Sequence, residues 1–221
     1  MKAKKMHKEG NETILTCFAF LLLVAIVLYV YNAPLWLWLV LLIPLVVIFG
    51  IIINFFRYPE RHFKGDKLHD VIAPSDGTIV CIEEVHETDY FNDKRILISI
   101  FMSVTNVHAQ WCPLAGEVLK SEHEDGMFKK AWLPKASNEN ERSTIVIKSD
   151  AGPTIMMRQV AGAVARRIVT YLDAGERSEV DGELGFIKFG SRIDLYLPLD
   201  AEILVKMNQT VRGNTTPVAK I

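Results

Sequence analysis

The chain has 221 residues, half of them hydrophobic, and a formal charge of -1 at neutral pH. That length accommodates one soluble domain and something more, and the near-zero charge argues against nucleic acid as a partner. Cys17, Cys81 and Cys112 have no CxxC or related metal spacing and form no disulfide framework, so free thiols in a reducing compartment and no metal centre are expected.

Hydrophobicity is concentrated near the N-terminus. Lys2, Lys4, Lys5 and Lys8 precede an apolar run from Ile14 to Tyr31, and after Asn32-Ala33-Pro34 a second runs from Leu35 to Phe56. Each is long enough to cross the ~30 Å hydrocarbon core as a helix. Neither has a polar face, which argues against a buried hairpin of a soluble protein. Asn32 and Pro34 supply the break between them, and Tyr29, Tyr31, Trp36 and Trp38 cluster where amphipathic rings favour the membrane–water boundary. Positive charge flanks both outer ends, with Arg57, Arg61, Lys64 and Lys67 after the second run, so both ends should face the cytoplasm. A cleaved signal peptide followed by one anchor is the competing reading, but the first run lacks a small-residue cleavage site. Residues 1–60 therefore read as a membrane-anchoring helical hairpin and residues 61–221 as a separate domain.

From Val71 onward, short alternating segments between turn residues predict a mainly β domain, sandwich- or barrel-like. Gly77–Ile82, Arg95–Phe101, Thr144–Ile147 and Thr154–Met157 read as strands. Val160–Val169 fits a strand entering a helical turn near Ala165 to Ile168, so one or two short helices are expected. Gly126–Arg142 is polar and reads as a loop over one face. Ala201–Val205 and Gln209–Ala219 resemble the turn-rich hairpin of biotinyl- and lipoyl-type modules, without the lysine between paired strands that carriage requires.

Three positions stand out chemically. Asp76 lies in Ala73-Pro74-Ser75-Asp76-Gly77-Thr78, where an Asp-Gly pair ordinarily caps a turn. His108 follows a strand in Phe101-Met102-Ser103-Val104-Thr105-Asn106-Val107-His108; a metal pair with Cys112 lacks further ligands at supporting spacing. Gly190-Ser191 sits between the apolar runs Gly185–Phe189 and Ile193–Leu197, where glycine lets the backbone come close to a hydroxyl. Lys188 would suit a Schiff base with pyridoxal phosphate, but no glycine-rich phosphate cradle accompanies it.

Taken together, Ala73–Thr78, Phe101–Gly116, Asn140-Glu141-Arg142, Gln159–Ile168 and Phe189-Gly190-Ser191-Arg192 resemble the short, membrane-bound phosphatidylserine decarboxylases, from about Arg57 to the C-terminus. The resemblance departs from the common pattern at Val104, in place of a usual proline, and at Gln110-Trp111, where many members have Asn-Arg. It implies a self-processing zymogen cut between Gly190 and Ser191 into chains 1–190 and 191–221, which stay associated as a heterodimer, higher oligomers being left open. Ser191 becomes a pyruvoyl group, the covalent cofactor, which forms a Schiff base with the amine of phosphatidylserine in the bilayer. It also implies that Asp76 orients His108, which activates Ser191. Arg142, Arg166 and Arg167 are candidates for binding the headgroup phosphate, guanidinium matching phosphate geometry. The rival is a membrane-anchored β module that binds lipid or a partner without catalysis; a pyruvoyl decarboxylase of soluble substrates leaves the hairpin unexplained.

Overall fold

The computed structural model describes residues 5–126, 140–162, 167–188 and 191–221. The chain divides into two compact units, Met1–Glu60 and Arg61–Ile221.

In the first unit, β1 (Lys5–Met6) leads into α1 (Asn11–Val30), and α2 (Leu35–Phe55) is followed by β2 (Arg57–Tyr58). β1 and β2 pair antiparallel, Lys5 with Tyr58 and Met6 with Arg57, which brings the two ends of the hairpin together. The turn is made as its residues dictate. Asn32 takes a left-handed φ of 46°, and Pro34, extended at ψ 152°, starts α2 without needing a donor of its own. Both helices are long and apolar enough to cross a membrane. Only Leu28 of α1 and Phe55 of α2 are buried within the protein, the distribution expected of helices whose apolar surface meets lipid.

The second unit is built from strands alone among its described residues. These are β3 (Asp70–Ile72), β4 (Gly77–Glu87), β5 (Asp93–Met102), β6 (Ala109–Trp111), β7 (Gly116–Glu124), β8 (Arg142–Ser149), β9 (Thr154–Ala161), β10 (Arg167–Thr170), β11 (Arg177–Ser178), β12 (Glu183–Lys188), β13 (Ser191–Leu197), β14 (Glu202–Ile203), β15 (Thr210–Val211) and β16 (Pro217–Lys220). An eight-stranded sheet runs β11-β7-β8-β9-β13-β5-β4-β15, and two three-stranded sheets run β10-β12-β6 and β14-β16-β3. Every pairing is antiparallel.

The period-2 alternation decides which side chains meet. Ile98, Ile100, Ile145, Ile147, Met157, Ile193 and Leu195 turn to the inner face of the large sheet. They pack with Ile168, Leu184 and Ile187 from one small sheet and Val71, Val218 and Ala219 from the other. The core is thus the layer between the sheets. The outer face carries a smaller cluster of Leu97, Val146, Met156 and Tyr196.

The helical turn expected near Ala165 to Ile168 falls partly on residues 163–166, outside the described ones. Where it is seen, it is a strand: Arg167 and Ile168 pair with Lys188 and Ile187. Ile168, Val169 and Thr170 are all β-branched and favour that outcome. No short helix accompanies the sheets among the described residues of this unit. Most of the loop expected over Gly126–Arg142 lies outside the described residues, and Arg142 itself opens β8.

Candidate functional site

Ser191 is the first residue of β13, the strand at the middle of the large sheet, and is paired on both sides, with Met102 of β5 and Ala161 of β9. It shares the parity of Ile193 and Leu195, so its side chain belongs to the inner face. The residue is fully buried, and its Oγ has no hydrogen-bond partner among the described residues. A buried hydroxyl left this way costs about 1–3 kcal/mol, and such a cost is characteristic of sites where chemistry is done. Gly190 and Phe189 lie outside the described residues.

The chain reaches His108 by turning back immediately after Met102, the neighbour of Ser191. Asn106 builds that turn. Its N–H donates to the Ser103 carbonyl at 2.9 Å, and its Oδ1 accepts from the Ser103 N–H at 2.9 Å. The buried imidazole of His108 then places Nδ1 3.1 Å from the Asn106 carbonyl oxygen. A carbonyl only accepts, so Nδ1 carries the proton of the neutral ring and Nε2 is the basic nitrogen.

Asp76 has other partners than the one expected. Its carboxylate is gripped by both terminal nitrogens of Arg61, Nη1 on Oδ1 and Nη2 on Oδ2 at 3.0 Å, and Oδ1 also accepts from the Gly213 N–H at 2.9 Å. Both oxygens thus accept from Arg61, and no hydrogen bond to the imidazole of His108 is seen among the described residues. Arg61 further donates to the Gly213 carbonyl at 2.9 Å, and its guanidinium lies 5.2 Å from the Trp111 ring centre. Asn214 Nδ2 closes the cluster, donating to the Arg61 carbonyl at 2.9 Å and to Asp181 Oδ1 at 2.8 Å. Read in the sequence as one of the charges flanking the hairpin, Arg61 is instead a buried ion-pair residue, its side chain only 9% exposed.

The remaining expected positions are dispersed. Arg142 pairs with Glu124, Nε to Oε1 at 3.0 Å; Arg166 lies outside the described residues. Arg167 is exposed and lines a polar cavity of about 300 Å³ with Ser121, His123, Ser143 and Thr170. Asn140 Nδ2 donates to the Ala161 carbonyl at 2.6 Å, bracing the strand beside Ser191. Lys188, partly buried, ends β12. Arg192 and Asp194 point to the opposite face of β13, paired at 2.9 Å, with Ser99 Oγ donating to Asp194 at 2.5 Å. Burial pushes the Cys81 thiol up to about 11 and raises that of Cys112 as well, leaving both poor nucleophiles at neutral pH.

The partners of Arg61 and Asn214 carry no local signal in the sequence, because they lie far away in the chain.

A family model described as phosphatidylserine decarboxylase matches residues 48–219. Among similar proteins, the phosphatidylserine decarboxylase proenzyme of Bacteroides fragilis is 51% identical over 222 residues, covering 100% of this chain and 97% of the relative. Proenzymes of the same description from Bacteroides thetaiotaomicron and Porphyromonas gingivalis are 48% and 45% identical, covering 100% and 98% of this chain and 97% and 99% of theirs. With a family model matched over most of the chain and relatives matched along its whole length, the chain belongs to the phosphatidylserine decarboxylase family.

Proposed function

We propose that this protein cuts itself between Gly190 and Ser191, converts Ser191 to a pyruvoyl group and decarboxylates phosphatidylserine to phosphatidylethanolamine. The observation that carries the reading is the buried hydroxyl of Ser191 at the start of β13, without a partner among the described residues and next in the ladder to the strand whose following turn delivers His108. An inward serine of this kind fits a group made from its own atoms.

In the self-cleavage, His108 Nε2 takes the proton of Ser191 Oγ as the Oγ–carbon bond to the Gly190 carbonyl forms. The Gly190–Ser191 C–N bond breaks and the nitrogen is protonated, leaving an ester. Loss of the Ser191 α-proton and scission of the Cβ–Oγ bond release residues 1–190 as a carboxylate. Water then displaces the nitrogen as ammonia, leaving pyruvoyl ahead of Arg192. That group supplies a ketone for the lipid's amine and an acceptor for the electron pair left behind by carbon dioxide. His108, protonated, returns a proton to the substrate carbon.

The tautomer of His108 is set by the Asn106 carbonyl. Asp76 enters as a positioning residue. Held by Arg61, it fixes the turn whose Pro74 carbonyl accepts from the Trp111 N–H at 2.9 Å, three residues beyond His108.

The hairpin of residues 1–60 places the enzyme at the cell membrane, with its lysine- and arginine-flanked ends in the cytoplasm. A diacyl lipid stays in the bilayer because each buried methylene is worth ~0.8 kcal/mol, so its headgroup is best met at the surface. Chains 1–190 and 191–221 remain together as a heterodimer.

Intact mass of the purified protein beside Ser191→Ala tests this. Two chains split after residue 190, the shorter blocked by pyruvoyl, are expected for the wild type and one chain for the variant. A folded wild type that stays whole overturns the reading and leaves a membrane-anchored binding module.

A further inference from the structure

One largely buried polar chain runs between the sheets and ends on a donor without an acceptor among the described residues. Ser143 Oγ and Thr170 Oγ1 lie 2.8 Å apart, Thr170 Oγ1 donates to Gln159 Oε1 at 2.8 Å, and Gln159 Nε2 donates to Gln110 Oε1. Gln110 Nε2, which is left over, has no partner among the described residues, and both glutamines are fully buried. The register shows how the chain is built. Thr170, Gly185 and Gln110 form one row across the small sheet, and Gln159 reaches in from the large sheet. A Cβ at Gly185 would stand 2.9 Å from Gln159 Nε2; glycine leaves the gap through which Gln159 spans from Thr170 to Gln110.

Gln159, the partner of the Gln110 amide, shares the inner face of the large sheet with Ser191. Gln159 faces Ile193 across the β9–β13 ladder, as Ala161 faces Ser191. Ser191 is therefore a diagonal neighbour of Gln159 on the same inner face, about 7–8 Å away between backbones. His108 is buried two residues before Gln110, on the stretch entering β6.

We propose that Gln110 is the residue that orients the carboxylate of the substrate's serine headgroup, its Nε2–H donating to the carboxylate oxygen. The inference rests on the decarboxylase reading. Its chemical basis is the contrast between donors. A carboxylate accepts only, so an interior site must offer it N–H or O–H groups. An arginine or lysine would hold its charge most strongly in the ground state, the state from which that charge must leave. A neutral amide fixes its direction with less of that penalty. The guanidiniums of Arg61 and Arg192 are meanwhile committed to Asp76 and Asp194.

The test compares Gln110→Leu and Gln110→Glu with the wild type, full-length in detergent micelles. Both variants should still split after residue 190 by intact mass. kcat/KM for phosphatidylserine should fall about 10- to 100-fold in Gln110→Leu, the worth of a hydrogen bond to a charged group. Gln110→Glu should fall further at neutral pH and recover as acid protonates the new carboxyl. Phosphatidylethanolamine has the amine without the carboxylate, so its capture by cyanoborohydride reduction, read by the mass of the shorter chain, should match wild type in both variants. Equal loss of phosphatidylethanolamine capture overturns the proposal, as do cleaved variants with wild-type turnover. Variants that fold but stay whole also overturn it, assigning Gln110 to maturation, whereas a whole wild type refutes the decarboxylase reading itself. If Gln110→Leu does not fold, Gln110→Asn, which keeps the amide but draws it back, carries the same comparison.

Discussion

Removing Arg61 asks the most of the structure. Its side chain and that of Asp76 are 9% and 12% exposed, and the pair is bidentate. Arg61→Met strands the carboxylate with the Gly213 N–H as its one remaining donor and deletes the bond from Arg61 to the Gly213 carbonyl. Breaking a buried pair from one side costs about 3–5 kcal/mol, since the remaining charge keeps its desolvation penalty. For a domain of this size that lowers Tm on the order of 10 °C. Arg61→Lys should fall between, keeping the charge but not the fork. The assay is thermal unfolding of the full-length protein in detergent by near-ultraviolet circular dichroism. The double variant Arg61→Met/Asp76→Asn should regain most of the loss, because the neutral amide still accepts from Gly213. A single variant that melts with the wild type, or a double variant no better than the single, refutes the reasoning. The same double variant also separates two roles for Asp76. If it folds and cleaves itself, the carboxylate of Asp76 does not act on His108 directly; if it folds and stays whole while Arg61→Met alone still cleaves, the carboxylate itself is required.

Two further outcomes follow from other contacts. Burial pushes the Asp181 carboxyl up, but the Lys67 ammonium, the Phe63 N–H and the Asn214 amide outweigh it and hold its pKa below the ordinary value. A lowered folded pKa gives stability that is present above the unfolded value, near about 3.9, and is lost as pH falls through the folded one. Urea midpoints of wild type and Asp181→Asn should therefore differ by a constant amount near neutrality and converge in acid; asparagine tolerates the left-handed φ of 72° at this position. A gap that widens in acid refutes the assignment. Gly185→Ala would put a Cβ 2.2 Å from the Val169 carbonyl oxygen, a backbone atom that can yield only by moving β10. It should cost about 1–3 kcal/mol by chemical denaturation and lose phosphatidylserine turnover through displacement of Gln159; wild-type stability would show that the row is looser than the register implies.

The hairpin is legible in the sequence because two unbroken apolar runs, a turn with Asn32 and Pro34, and flanking lysines all point the same way. The strands around Ile98 and Ile145 are legible for the same reason, period-2 alternation being a local property. Val160–Val169 is not, since a short apolar run suits helix and strand alike until a partner is known: Val160 and Ala161 end β9, paired with β13, whereas Arg167–Thr170 pair with β12. Ser191, His108 and Asp76 stand out through motifs, yet the motif around Asp76 does not announce its contacts. Those lie 15 residues back, at Arg61, and 137 residues on, at Gly213. Arg61 itself sits among basic residues that all look like charges outside a membrane, and only the fold separates the buried one from Lys67, which stays half-exposed beside Asp181. The Gln159–Gln110 bond likewise depends on a gap at Gly185 that no local pattern marks.

The position of β13 bears on why a cut at its edge would be tolerated. A break between residues 190 and 191 falls at the first rung of the ladder, so it removes no pairing from the strand itself. From Ser191 to Leu197 the strand keeps its partners from Met102 to Ile96 on one side, and from Ser191 to Tyr196 those from Ala161 to Met156 on the other. Beyond it, β15 pairs with β4 and β16 with β3, so residues 191–221 are joined to the rest of the chain in two sheets, at two further places. Ile193, Leu195, Leu197, Val218 and Ala219 of that segment are buried in the common core. Removing a central strand would expose the edges of β5 and β9 together with this apolar surface, a loss that far exceeds the gain in chain entropy from one broken bond. Cleavage would thus create a new chain end inside the interlayer without loosening the layer. The end would lie at Ser191, on the buried inner face of the sheet, where water is scarce and an electrophile made from the chain is protected.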